Sequence, residues 1–172
     1  MSKAFTREDD APDPIIPRRV TDPLPPGARN YLTPDGARQL RAELDRLVQI
    51  DRPQALAFSD PSLAREQTQI LDQRIQHLQQ SLQSAVVVEI RAGEIDCVRF
   101  GTTVSVRERS GEESRYRIVG IDEADIERGW VSWLSPIARA LRNARLGQRV
   151  LLKLPSGDEE LEVISIGYPE YP

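Results

Sequence analysis

A narrow apolar seam within a glutamine-rich stretch is the feature that most constrains this chain. Residues 67–83 contain seven glutamines. Leu71, Ile75, Leu78 and Leu82 recur there at the spacing of a helix that packs against one other helix. Leu63 and Ile70 are expected to extend the seam towards the helix start. Because so narrow a stripe buries little surface, we predict that the helix projects from a folded body.

Two capping signals predict a partner helix before this one. Residues 33–35 read Thr-Pro-Asp, which supplies a capping hydroxyl, a proline at the first helical position and a carboxylate in the first turn. Residues 59–61 read Ser-Asp-Pro, a similar start. Pro53 is expected to end or kink the first helix. The sequence therefore predicts an antiparallel helical hairpin (coiled coil) over residues 30–85, with Phe58, Ser59 and Asp60 at its tip.

From residue 86 onwards the apolar period changes to two, as in strands. Alternating segments lie within 98–107, 116–119 and 131–134, and a turn signal at 155–158 joins two further strands. Ser135 and Pro136 start a short helix between them. Residues 86–172 are therefore predicted to form an antiparallel sheet with one helix, which makes the chain an α+β protein.

Residues 1–29 differ from the rest of the chain in being rich in proline and charge. Proline fixes φ and removes a backbone donor, and a segment of this composition buries little apolar surface. We predict a flexible arm outside both folded parts.

Composition and charge exclude several classes of function. The formal net charge of −4 disfavours binding to nucleic acid through its phosphates, so any such contact is expected to be indirect. Cys97 and His77 are the only cysteine and histidine, which leaves no disulfide and no thiolate cluster, and no metal or cofactor is expected. No apolar run approaches the ~20 residues that span a membrane, and the first residues lack a signal-peptide core. We expect a cytoplasmic protein.

The side chains that could carry chemistry are expected to have ordinary structural roles. His77 is expected on the solvated surface beside the seam, because a ligand or a base needs convergent partners. Cys97 is expected to be a small buried hydrophobe. The acidic clusters at residues 122–127 and 158–160 are expected to be solvated loop charges.

Three motifs, in order, resemble those of the GreA/GreB transcription factors, most closely the GreB branch. They are Asn-Tyr-Leu-Thr-Pro-Asp-Gly at residues 30–36, Arg-Ile-Val-Gly-Ile-Asp-Glu at 117–123, and Ser-Pro-Ile-Ala-Arg-Ala-Leu at 135–141. The resemblance covers residues 30–168. It implies an N-terminal antiparallel coiled coil and a C-terminal domain like that of FK506-binding proteins.

The resemblance also implies a partner and a surface. In that family the C-terminal domain docks on the rim of the RNA polymerase secondary channel, and the coiled coil enters the channel towards the active centre. The corresponding docking residues of this chain are Asp122, Ser135, Pro136, Ile137, Ala138 and Arg139. Fold maintenance is an equally good interpretation of the Ser-Pro pair, which is also a favourable helix start.

The hairpin tip departs from the family pattern. Members that promote RNA cleavage carry an Asp-x-x-Glu-Asn-x-x-Tyr motif there, and its two carboxylates are thought to hold a catalytic Mg²⁺. The aligned acidic positions of this chain are Gln54 and Ala57, in a hairpin that looks several turns shorter. Asp60 is expected to cap its own helix. We predict a polymerase-binding regulator that is not an enzyme and does not stimulate cleavage.

Three alternatives remain open from the sequence. The chain is an active cleavage factor if its tip acids come from residues misaligned above. It is a prolyl isomerase if the C-terminal domain holds an aromatic-lined pocket, drawn from Phe100, Tyr116, Trp130, Trp133, Tyr168 and Tyr171. It is a plain interaction module if its partner is unrelated to transcription.

Overall fold

The computed structural model describes residues 24–89 and 95–168. Most of the predicted arm, residues 1–23, lies outside these ranges. The described chain has two parts, a helical unit (residues 30–87) and a sheet unit (residues 95–168). The combination confirms the predicted α+β class. Within the described ranges, no helix is long and apolar enough to cross a membrane.

The helical unit begins with strand β1 (Asn30–Leu32), continues through helices α1 (Pro34–Arg46), α2 (Arg52–Leu56) and α3 (Pro61–Ser84), and ends with strand β2 (Ala85–Val87). Thr33 caps α1 as predicted, because its hydroxyl oxygen accepts a hydrogen bond from the Gly36 amide at 3.0 Å. The strands β1 and β2 pair in parallel, which places both ends of the unit side by side. Each strand is only three residues long, too short for alternation to predict it.

Pro53 neither ends nor sharply interrupts the first helical arm. A π-helical turn over Leu47–Asp51 joins α1 to α2, and Pro53 lies in the first turn of α2. Proline has no amide hydrogen and its ring crowds the carbonyl four residues earlier. The wider turn takes up this conflict, so the arm continues to Leu56.

The predicted seam forms the core of the helical unit. Leu71, Ile75 and Leu78 are buried against Leu40 and Leu47 of the preceding arm. Glu43 pairs with Arg74, and Arg52 further along the same arm pairs with Asp72, at 2.8 and 2.7 Å. The predicted extension of the seam through Ile70 is wrong, since that side chain is 42% exposed.

The sheet unit has five strands in the order β5-β4-β3-β7-β6. They are β3 (Thr103–Glu108), β4 (Glu113–Val119), β5 (Trp130–Ser132), β6 (Arg149–Leu154) and β7 (Gly157–Gly167). Helix α4 (Pro136–Leu141) packs on one face, where Leu141 joins a core built from Val104, Val106, Ile118 and Val163. Cys97 is buried, as predicted.

Two details of the predicted sheet are wrong. The sheet is mixed, because β5 pairs in parallel with β4 while the other pairs are antiparallel. The segment between β4 and β5 carries a 3₁₀ turn (Ile121–Glu123) and reverses direction once more before β5, so the two strands run the same way. Residues 98–100, expected to form a strand, lie outside the strands, although Val98 is buried.

Candidate functional site

Helix α4 and its N-cap residue supply five of the six residues predicted to dock on a partner. The hydroxyl oxygen of Ser135 accepts a hydrogen bond from the Ala138 amide at 3.2 Å, and Pro136 follows at the first helical position. Ala138 is buried and Ile137 packs against the sheet core. Pro136 and Arg139 are exposed, so they are the side chains of this set that α4 presents to solvent.

Asp122, the sixth predicted docking residue, lies in the 3₁₀ turn and is only 4% exposed. One carboxylate oxygen lies 2.9 Å from His77 Nε2, and the other accepts a hydrogen bond from the hydroxyl of Ser81. A carboxylate only accepts, so Nε2 is the donor in this contact. The His77 side chain is 42% exposed at the surface, as expected, and it pairs with Asp122, a partner that the sequence did not indicate.

Glu123, the next residue, is 5% exposed. Its Oε2 accepts hydrogen bonds from the amides of Thr33 at 2.9 Å and Gly120 at 3.0 Å, and its Oε1 accepts one from the Thr33 hydroxyl. Burial raises the pKa of this carboxyl, against the effect of these hydrogen bonds. The prediction that Asp122 and Glu123 are solvated loop charges is therefore wrong.

Two glycines make room for this carboxylate. A Cβ atom on Gly36 would lie 2.0 Å from Glu123 Oε1, and one on Gly120 would lie 2.2 Å from the carbonyl oxygen of Tyr31. Gly36 belongs to the first recognised motif and Gly120 to the second. The two motifs therefore meet, and the absence of side chains at both glycines allows the contact.

Aromatic and basic side chains surround the contact. Tyr31 of β1 stacks edge-on against Trp133 at 5.1 Å between ring centroids and lies 5.8 Å from Phe100. Arg117 lies over the ring of Trp130 at 4.8 Å, and its guanidinium is 3.5 Å from Asp35 of α1. These contacts join the helical unit to the sheet unit along one side.

At the far end of the helical unit, the three predicted tip residues have different environments. Asp60 caps α3, because its Oδ1 accepts hydrogen bonds from the amides of Ser62 at 2.8 Å and Leu63 at 3.5 Å. Phe58 is partly buried against the helical core, and Ser59 is exposed. The prediction that Asp60 caps its own helix is confirmed.

Comparison with known proteins gives the family. Residues 92–168 match the family model described as transcription elongation factor, GreA/GreB, C-term. The transcription elongation factor GreB of Neisseria meningitidis is 37% identical over 81% of this chain and 94% of its own length. This chain belongs to the GreA/GreB family.

Further GreA/GreB relatives match over similar lengths. GreB of Pseudomonas aeruginosa is 36% identical over 91% of this chain and 96% of its own, and GreA of Alkalilimnicola ehrlichii is 41% identical over 80% and 96%. A solved structure of GreA factor homolog 1 from Thermus thermophilus is 25% identical over 81% of this chain and 99% of its own length, with a TM-score of 0.38. The GreA and GreB relatives are described as transcription elongation factors.

The contact between the two GreA/GreB motifs was missed by sequence reasoning. The sequence signal for it was the pair of glycines at positions 36 and 120, each within one of the recognised motifs. Helical and turn glycines have many other causes, so nothing in the sequence paired these two.

The lack of space beside Gly36 predicts that an alanine there lowers the stability of the protein, which is the opposite of its usual effect in a helix. Replacing a helical glycine by alanine ordinarily stabilises a helix by roughly 1 kcal/mol. We expect Gly36→Ala to lower the free energy of unfolding instead, because the new Cβ would collide with the Glu123 carboxylate. Urea unfolding measures the change. Gly167→Ala, which meets nothing within 4 Å, is the control and should be close to neutral; stabilisation by Gly36→Ala would contradict the contact.

The raised pKa of Glu123 generates a second prediction. The folded chain holds this proton more tightly than the unfolded chain, whose carboxyl titrates near 4.5. The linked stability is therefore present below that pH and is lost as the pH rises through the raised pKa. Relative to Glu123→Gln, the unchanged chain should lose free energy of unfolding as the pH rises from about 4.5 through the raised pKa of Glu123. Relative to Glu127→Gln, which removes an exposed acid and keeps Glu123, the unchanged chain should show no such loss; an equal loss relative to both variants would refute burial as the cause.

Proposed function

We propose that this chain is a transcription regulator that binds RNA polymerase at the rim of the secondary channel and does not stimulate transcript cleavage. In this proposal the sheet unit has the fold of FK506-binding proteins and docks on the rim. The helical unit is an antiparallel coiled-coil hairpin that enters the channel. Membership of the GreA/GreB family supports the partner, and the chemistry of the tip supports the lack of cleavage.

The docking surface that we propose centres on α4. Arg139 and Pro136 are exposed, and the Ser135 cap and the buried Ala138 fix the helix that presents them. A guanidinium suits bidentate contact with a carboxylate, so the partner face is expected to be acidic. Ile137 supports the helix from the core side. Asp122 contributes by holding the partly exposed His77, not by direct contact.

The residues at the tip are the reason for proposing that this chain does not stimulate cleavage. Gln54 and Ala57 are exposed at the aligned acidic positions and have no charge. Asp60 is engaged in its cap. Glu66 follows six residues later, about 9 Å along α3 and about 240° around it, so the two carboxylates cannot share one metal ion. Delivery of a second Mg²⁺ to a polymerase active centre needs such a pair.

Other acids near the tip are paired with arginines. Asp51 is buried and lies 3.2 Å from Arg46, and Asp72 lies 2.7 Å from Arg52. An active cleavage factor would therefore have to release an acid from an ion pair to obtain its second carboxylate. This argument favours the regulator over the cleavage factor.

The aromatic side chains argue against prolyl isomerisation. Tyr31 contacts both Trp133 and Phe100, and Trp130 is covered by Arg117 and Arg128. One groove lies along α3 beside Leu56, and another lies between the β3–β4 and β6–β7 turns. Both are lined by polar and aliphatic residues. Tyr171 lies outside the described residues.

A cleavage assay tests the role of the tip. Added to backtracked polymerase complexes, the unchanged chain should release no more RNA fragments than a reaction without factor. The double variant Gln54→Asp/Ala57→Glu restores two acids and is expected to gain stimulation. Gln69→Asp/Gln73→Glu adds the same charge on the exposed face of α3 and is the control. Stimulation of cleavage by the unchanged chain would contradict the proposal. Equal cleavage with both double variants would show that the missing tip acids are not the reason for the lack of cleavage.

A binding measurement tests the docking surface. Arg139→Glu should weaken binding to core RNA polymerase about tenfold or more. The variant replaces an interfacial guanidinium by a carboxylate, which has the same charge as the acidic face expected on the partner. Lys153→Glu makes the same change of charge at an exposed position on β6 and should bind as the unchanged chain does. Biolayer interferometry with immobilised polymerase measures both. Equal affinities for the two variants would exclude α4 from the docking surface.

A further inference from the structure

The 3₁₀ turn Ile121–Glu123, here called the acidic turn, holds the helical unit at two separate points. Glu123 accepts two hydrogen bonds from Thr33, the residue that caps the start of α1. Asp122 contacts Ser81 and His77, which lie in the last two turns of α3. One short element of the sheet unit therefore contacts both arms of the helical unit at its base.

Two points of attachment fix an orientation that one point leaves free. A single hydrogen-bonded contact allows one unit to swing about it, whereas contacts to two helices set both the tilt and the rotation. The third element at this base is β1, since the Asn30 side-chain amide donates to the hydroxyl and the backbone carbonyl of Ser81, both at 3.1 Å. The hydroxyl that Asp122 accepts from is thus itself held in place.

Burial makes this orientation specific. Both carboxylates are about 95% covered, with exposures of 4% and 5%. A buried carboxylate without donors is costly, and only one placement of the helical unit brings the Thr33 and Ser81 donors to these oxygens. A different angle between the units would leave both acids buried without those donors, or would expose the surface around them. Such groups specify geometry more than they add stability.

We propose that Asp122 and Glu123 are positioning residues that set the direction of the helical unit relative to the docking face on α4. The inference rests on the proposed function for its consequence, because that direction decides where the tip lies once the sheet unit is docked. A small angular change at the base is multiplied along α3, whose 24 residues extend about 36 Å. The acidic turn therefore acts on the tip without touching it.

A distance measurement on the free protein tests this. Spin labels at Ser59→Cys on the tip and Ser156→Cys on the β6–β7 turn report the angle between the units by pulsed electron resonance, in a Cys97→Ser background. The parent should give one narrow distance distribution. Glu123→Ala and Asp122→Ala should broaden it at least twofold while the circular dichroism spectrum stays unchanged. Glu127→Ala, an exposed acid on the neighbouring loop, should keep the narrow distribution.

The outcomes separate positioning from folding. Distributions as narrow as the parent's in folded Glu123→Ala and Asp122→Ala would overturn the inference. If Glu123→Ala and Asp122→Ala do not fold, Asp122→Asn, which keeps the side-chain shape, decides the matter. A narrow distribution in Asp122→Asn would then overturn the inference, and a broadened one would support it.

A second measurement connects the angle to polymerase. A photo-crosslinking amino acid at position 59 reports contacts of the tip within the complex. Glu123→Ala should bind core polymerase within about threefold of the parent, since α4 is unchanged, yet lose about nine-tenths of the tip crosslink. Retention of the full crosslink would overturn the inference. If the parent itself does not bind polymerase, the proposed function fails, while the distance distributions still decide the role of the acidic turn.

Discussion

The arrangement of this protein depends on one buried carboxylate. Glu123 extends from the sheet unit to the start of α1, where it accepts hydrogen bonds from the amide and the hydroxyl of Thr33. The first turn of a helix has unpaired amides and the positive end of its dipole, so an acid there is favoured. The contact requires glycine at positions 36 and 120 because no side chain fits beside it. Its burial is what raises the pKa of the carboxyl and what makes the placement of the helical unit specific.

The same contact changes the interpretation of the family motifs. Residues 30–36 and 117–123 are two sides of one internal joint, whereas in residues 135–141 the structure separates exposed from buried positions. Pro136 and Arg139 face solvent, but Ala138 and Leu141 serve the core. A motif that identifies a GreA/GreB chain therefore contains residues of two kinds. Those that hold the units together act on function only through geometry, and those that are exposed are available to a partner.

At the opposite end of the helical unit, acidic side chains are again held by donors within the protein. Asp60 is engaged by the amides that begin α3, and Asp51 and Asp72 are engaged by arginines. Each of these three carboxylates thus has an internal partner. Sequence reasoning anticipated the Asp60 cap, because an acid followed by proline at a helix start has few other uses. It did not anticipate the two ion pairs, one of which joins Arg52 to Asp72 on another helix.

Local patterns in the sequence determined the α+β class, the helix starts at Thr33 and Asp60, and the buried seam of Leu71, Ile75 and Leu78. Each of these follows from neighbours within one or two helical turns, where spacing and capping chemistry are decisive. Tertiary structure alone decided the parallel pairing of β4 with β5 and the burial of Asp122 and Glu123. Those two acids lie in a polar run that reads as a solvated loop, and only the approach of Thr33 and Ser81 from distant parts of the chain makes their burial favourable. Long-range pairing of this kind leaves no periodicity in the sequence, since it depends on which surfaces meet after the local elements have formed.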